Sequence, residues 1–462
     1  MNFLDNFVIP QPDYNLNLLN VFLVLGLTIF MVYSGILFGS IILSVYYKNK
    51  SKNFNDSYSR ISLEYAGLIT DKWIYGFGLG AVPFLSVIFI YMQLLHKSEV
   101  AVVNYLTLSF VLYIAGMVLA FNYNKAFHLA KVFDKVSLSN SDADEKTNSD
   151  FEAINNNAKS KLNSLGNFSI ILQIVAYWYL MAALSLAVHP NEWANSNFIS
   201  ILISNDSLLQ IFQFLTVSIA LTGITYLFRT YVWDKKDIAQ DEYFNFGFKT
   251  NIWISLISVL MIPVFFAAGI WSLPLSTVNT LVFFTTLAGV VLVLLILQLL
   301  YAAYKNTKLK YLNYTFFAAL LLVLAVSLKD KTAFAIANRE QVLVLNEEYL
   351  AHKQEFMASL GMGKVVIDGG EIYNGRCTAC HKAEDAATAP AHKNIIQKYL
   401  TQSDPKAALA KFVLNPVKVN PNYPPMPNQG LNPAEAQAVA EFMIKKYSGK
   451  ADSEKKPQTM TK

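Results

Sequence analysis

The sequence predicts an all-α fold, a polytopic membrane bundle of about eight helical spans followed by a small polar domain. Three observations carry the prediction. Hydrophobic residues make up 54% of the 462 positions and charged residues only 15%, where an ordinary soluble domain has roughly 25% charged. Runs of about 20 apolar residues, long enough to cross a bilayer as helices, recur between Leu18 and Leu328. Beyond Leu328 the chain turns polar, rich in Lys, Glu and Pro, with no run of that length. The composition excludes an ordinary cytoplasmic enzyme. With 32 Phe, 25 Tyr and only 20 Gly, it also excludes disorder and collagen-like repeats.

The spans are expected at Leu18–Tyr46, Ile74–Leu94, Val100–Phe121, Phe168–Val188, Leu208–Phe228, Asn251–Trp271, Val278–Ala302 and Leu312–Leu328. Residues 1–17 form an external segment without the basic region of a cleavable leader. Within the membrane domain, 18–328, the polar stretch 123–166 reads as a cytoplasmic loop. Trp73 and Pro83 share their spacing with Trp253 and Pro263, and Val103-Asn-Tyr-Leu is echoed by Val278-Asn-Thr-Leu. These echoes raise the expectation of a 4+4 tandem repeat. Residues 329–361 read as a helical linker, 362–449 as the polar domain and 450–462 as a disordered tail.

Orientation follows from the basic residues, which accumulate on the cytoplasmic side. The loops after the odd-numbered spans carry eighteen Lys and Arg, while the N-terminal segment and the loops after the second, fourth and sixth spans carry Lys97 alone. The N-terminus and the polar domain are therefore expected outside the cytoplasm. That arrangement needs an even number of spans, and eight satisfies it.

The strongest chemical signal is Cys377-Thr-Ala-Cys380-His381, which holds both cysteines of the chain. Cys-x-x-Cys-His is the attachment pattern for a c-type haem. The two thiols form thioethers and the adjacent imidazole ligates iron; on a helix all three lie within little more than one turn. A thioredoxin-like pair would need a βαβ setting, and a zinc site a second ligand pair; the sequence has neither. For the second iron ligand, Met426 in Tyr423-Pro-Pro-Met-Pro is the first choice, because the prolines hold the thioether in place. Met443 is the rival, although its spacing with Ala436, Val439 and Ala440 is that of a helix core. Met357 and Met362 are poorer, and His392 is a loop residue that could displace Met426. Asn432, Pro433 and Glu435 supply a cap, a first-turn proline and a capping-box acid for a helix over 433–447.

Gly370-Glu-Ile-Tyr-Asn-Gly-Arg-Cys-Thr-Ala-Cys-His, then Pro390, Pro424-Pro-Met-Pro and Leu431-Asn-Pro-Ala-Glu-Ala together resemble a class I, monohaem cytochrome c domain over about residues 363–448. The resemblance implies a small all-α domain in which the helix bearing Gly370 and Tyr373 packs on the closing helix. It also implies that Pro390 supports His381 through a carbonyl, although Ala389 stands where the family usually has Gly. The membrane part resembles no family that can be named.

The implied function is a membrane-bound cytochrome that passes single electrons at the periplasmic face of a bacterial cytoplasmic membrane, within a respiratory chain. The alternative is a haem-carrying subunit of a larger quinol or acceptor oxidoreductase, its bundle binding quinol or partner subunits. A haem-based redox sensor or transport scaffold ranks third. One covalent haem c is expected, with iron between His381 and Met426, and no haem b, since no span interior contains a histidine. No catalytic residue is assigned. Expected partners are membrane lipid, a quinol-oxidising complex, a terminal oxidase or a soluble cytochrome, and quinol; nucleic acid is not among them. His96 and His189, at the outer ends of the second and fourth spans, could line a quinol site but read better as interfacial residues. The spans lack interior charge, which argues against a pump or channel.

Overall fold

The computed structural model describes residues 8, 10–51, 56–96, 98, 101–139, 145–195, 197–238, 241–306, 308–360, 367–385, 388–418, 421 and 423–448. Lys97, Met362 and the tail from 450 lie outside the described residues, as does most of the external segment. Among the described residues the regular structure is helical, and no strand occurs. The chain divides into two principal units, Leu18–Arg339 and Glu340–Lys462.

Among the described residues, eight helices are long and apolar enough to cross a membrane: Tyr14–Lys50, Trp73–Leu94, Val102–Phe133, Asn156–Val188, Asn205–Trp233, Glu242–Ser272, Thr280–Asn306 and Lys310–Ala337. Each contains or overlaps one expected span, and most run further at one or both ends. Apolar residues mark only the part of a helix that lies in hydrocarbon, while its backbone hydrogen bonding continues into polar sequence. The stretch 123–166 shows this as a correction. It is mainly helical, because the third span continues to Ser139 and a new helix starts at Glu145. On the seventh span, Phe284, Leu287, Val291 and Leu294 point outward at helical spacing. Such a face needs lipid or protein to cover it.

Close helix packing in the first unit relies on small residues. A Cβ at Gly39 of the first span would lie 2.6 Å from the Ser218 carbonyl oxygen of the fifth. The two prolines of the expected repeat have different surroundings. Pro83 follows a wide helical turn, Gly76–Ala81, whereas Pro263 sits inside the continuous helix Glu242–Ser272. At one end of the unit the short helix Ser57–Ala66 is fixed by Arg60–Asp241 (3.2 Å) and by Tyr226, which donates to Glu64 (2.6 Å).

Charge also reaches the interior of the bundle. Asp206 is buried at the start of the fifth span and Lys329 is buried in the eighth, and both lie just beyond the span limits that apolar runs define. Lys329 pairs with Asp330 at 2.9 Å. Asp206 accepts from Ser272 (2.5 Å) and Gln210 (2.9 Å).

The second unit contains the linker helix Arg339–Ser359 from Glu340 onward, then the short helices Gly369–Ile372, His392–Leu400 and Pro405–Leu414, and the closing helix Pro433–Tyr447. Their starts are written in the sequence. Asp368 caps Gly370 and Glu371, Asp404 caps Ala407 ahead of Pro405, and Asn432 with Glu435 forms the expected capping box. Tyr373, Ile396, Leu409, Val413, Val439 and Met443 meet in one core. The glycine at the helix crossing is Gly369, not Gly370. A Cβ at 369 would lie 2.5 Å from the Ala438 carbonyl carbon and closer still to its oxygen, whereas one at 370 meets the side chain of Phe442.

Candidate functional site

The helix begun at Gly369 changes at Tyr373–Cys377 into a wider turn, with the Thr378 amide donating to the Tyr373 carbonyl (3.3 Å). This turn carries Cys377 into the core and leaves Cys380 exposed. Burial pushes the Cys377 thiol up, opposed by the neighbouring Arg376. The His381 amide donates to the Cys377 carbonyl (3.2 Å), so the imidazole follows directly on the turn.

Next to this turn is a cavity of about 350 Å³, in the size range of cofactor pockets. Cys377, Cys380, His381, Pro390 and Met426, which the sequence singles out, all line it. Nδ1–H of His381 donates to the Pro390 carbonyl (2.7 Å). That bond fixes the ring and leaves Nε2 with its lone pair available to a metal.

Met426 sits in the extended segment 424–432, half-buried on the cavity wall. The segment is tied down twice. Arg376 donates to the Gln429 carbonyl (2.5 Å). Gly430 takes the left-handed φ of +62° that favours glycine, its amide donating to Asn428 (2.9 Å). Met443 also reaches the cavity, but it is buried in the core beneath.

His392 differs from its sequence reading. It is the first residue of a helix rather than a loop residue, and it is 2% exposed. Its ring stacks on His381 with centroids 4.7 Å apart, and Nδ1 lies 3.0 Å from the Tyr373 hydroxyl. That hydroxyl lies 2.7 Å from the Tyr447 hydroxyl on the closing helix. Burial, with His381 and Lys446 nearby, pushes His392 down to about 4, so the ring is neutral at pH 7. The same burial, with Tyr447 and Cys377 adding to it, raises Tyr373 well above the usual phenol range. A second histidine behind the first, with two tyrosines bonded in series, was not legible in the sequence. The only hint was a His close after Pro390.

The arrangement brings together two thiols, an imidazole with a free nitrogen and a thioether around one apolar cavity. This is the donor set of a covalently attached, six-coordinate iron porphyrin. The described residues contain no cluster of three or more His, Cys, Asp or Glu that could bind a metal on its own.

Comparison with known proteins points the same way. The family model described as Cytochrome c matches residues 366–445. Over 77 residues the chain is 30% identical to cytochrome c-551 of Pseudomonas denitrificans, covering 94% of that protein and 16% of this chain.

Proposed function

We propose, from the premise that this chain belongs to the cytochrome c family through residues 366–445, that it is a membrane-bound cytochrome carrying one covalent haem c. Its role in this reading is to pass single electrons at the periplasmic face of the cytoplasmic membrane within a respiratory chain. The observation that carries the reading is the cavity on which Cys377, Cys380, His381 and Met426 converge. Cys377 and Cys380 would hold the porphyrin through thioethers, and His381 and Met426 would ligate its iron. When bound, the haem supplies a reversible one-electron couple, and a His/Met ligand pair raises its potential.

The protein's own part is orientation. The Pro390 carbonyl keeps Nδ1 of His381 protonated, and the His392 ring limits rotation of the imidazole. Arg376 and Gly430 hold the segment that presents Met426. The apolar cavity wall excludes water, which favours the less charged ferrous state. The basic-loop asymmetry supports the periplasmic placement.

A second reading has its own support. Eight spans exceed what an anchor needs, and buried Asp206 and Lys329 are costly in a membrane unless they serve a function. In this reading the chain is the haem-carrying subunit of a larger oxidoreductase. Purification of the chain with its native partners separates the two readings. A lone chain with a c-type spectrum supports the first, and a stoichiometric oxidase or dehydrogenase supports the second.

A further inference from the structure

At the end of the first unit where the second, fourth and eighth spans finish and the fifth begins, a cavity of about 90 Å³ penetrates the bundle. Its walls are mostly apolar, among them Leu27, Phe214 and Val326. Polar groups converge on it, among them Asp206, Gln210 and Gln213 from the fifth span, and Lys329 and Asp330 from the eighth. Asp206 and Leu209 also line a second, wider cavity of about 800 Å³ beside His189 and Trp271. The interior space thus has an approach from the same end of the bundle.

Asp206 is already satisfied by Ser272 and Gln210, and Lys329 has Asp330. No anionic cage is left for a cation. The opening is at Gly269, on the sixth span. A Cβ there would meet only Gln213 Oε1 at 3.9 Å and Lys329 Nζ at 4.0 Å. An acceptor and a cationic donor therefore face one space that a side chain would otherwise fill.

We infer that this space binds the ring of a lipid-soluble quinone. The recognition is chemical. A flat apolar ring suits the walls, a carbonyl oxygen can accept from Lys329, and a hydroxyl in the reduced form can donate to Gln213. Leu209, Phe212 and Trp271, which line the wider cavity, suit a ligand with a hydrocarbon tail. The redox character of the ligand rests on the electron-transfer reading of the cytochrome unit; the pocket and its polar pair do not.

The test uses the full-length, haem-loaded chain in lipid nanodiscs, titrated with decylubiquinone and corrected for partition into empty discs. Saturable binding of one quinone per chain is expected. Gly269→Leu fills the space and should weaken binding at least about tenfold. Gln213→Met removes the acceptor at similar volume and should weaken binding of the reduced ring, titrated as decylubiquinol, several-fold, which decides the matter if Gly269→Leu does not fold. The haem spectrum should be identical in all three proteins. Partition alone, or equal affinity in wild type and both variants, overturns the quinone site and leaves the cytochrome reading intact. Absence of haem from the wild-type protein would overturn that reading separately, while the affinities still decide the pocket.

Discussion

Replacing Gly369 by alanine tests the crossing on which the haem-domain fold depends. The new Cβ would lie 2.5 Å from the Ala438 carbonyl carbon and 3.0 Å from the Val439 amide nitrogen. Carbon atoms prefer about 3.5–4.0 Å, so the helices must part by roughly 1 Å. Both obstructing groups are backbone, and no side chain can swing away. Overpacking of this kind costs about 1–3 kcal/mol, and rigid contacts place it near 3. Loss of unfolded-state freedom returns about 0.4–1 kcal/mol, leaving about 2 kcal/mol. In a domain of this size that lowers the melting temperature by about 8–16 °C. Gly370→Ala meets the Phe442 ring, which can turn, and should cost less than about 1 kcal/mol. Gly375→Ala meets nothing within 4 Å and should be neutral or slightly stabilising. Thermal unfolding of the full chain, followed at the haem Soret band, gives the order. If Gly370→Ala proves as damaging as Gly369→Ala, the assignment of the crossing is wrong.

Met426→Ala should abolish the weak methionine-to-iron charge-transfer band at the red end of the spectrum and lower the potential. Met443→Leu should keep both, because a volume-conserving core swap typically costs under about 1.5 kcal/mol; the reverse pattern would make Met443 the ligand. A pyridine haemochrome assay should find one covalent haem per chain, and protohaem at comparable stoichiometry would contradict the single-haem expectation. With cysteine introduced at Ser149 or Ser453, an impermeant reagent on spheroplasts should label only position 453. Labelling of 149 from outside would refute the eight-span orientation.

Features set by local composition were legible in the sequence, and features set by distant contacts were not. Apolar runs found every span because hydrocarbon selects for them along the chain. They ended too early at Leu328 and began too late at Leu208, which placed Lys329 in the linker and Asp206 in a loop, whereas both are buried within the bundle. The capping box at Asn432 is a local signal that the structure reproduces, and Cys377, Cys380, His381 and Met426, picked by local signals too, line one cavity. Gly369 could have been chosen over Gly370 from its spacing alone, since residues four apart share a helix face and Tyr373 marks the packed one. The burial of His392 had no such signal. It depends on Tyr373, 19 residues earlier, and on a closing helix far downstream.

The contact between Tyr373 and Tyr447 spans 74 residues, so the helix that makes it is synthesised well after the Cys377 motif. Cys377 is covered by a core that includes Ala436, Val439 and Ala440 of the closing helix. While the chain is being made, that cover does not yet exist, and both thiols stand open. With the helix docked, burial pushes the Cys377 thiol up, away from the thiolate that is the reactive form. In the folded chain Cys377 still lines the cavity, so attachment before the helix closes would meet both thiols uncovered, and attachment afterwards would reach Cys377 through the cavity alone.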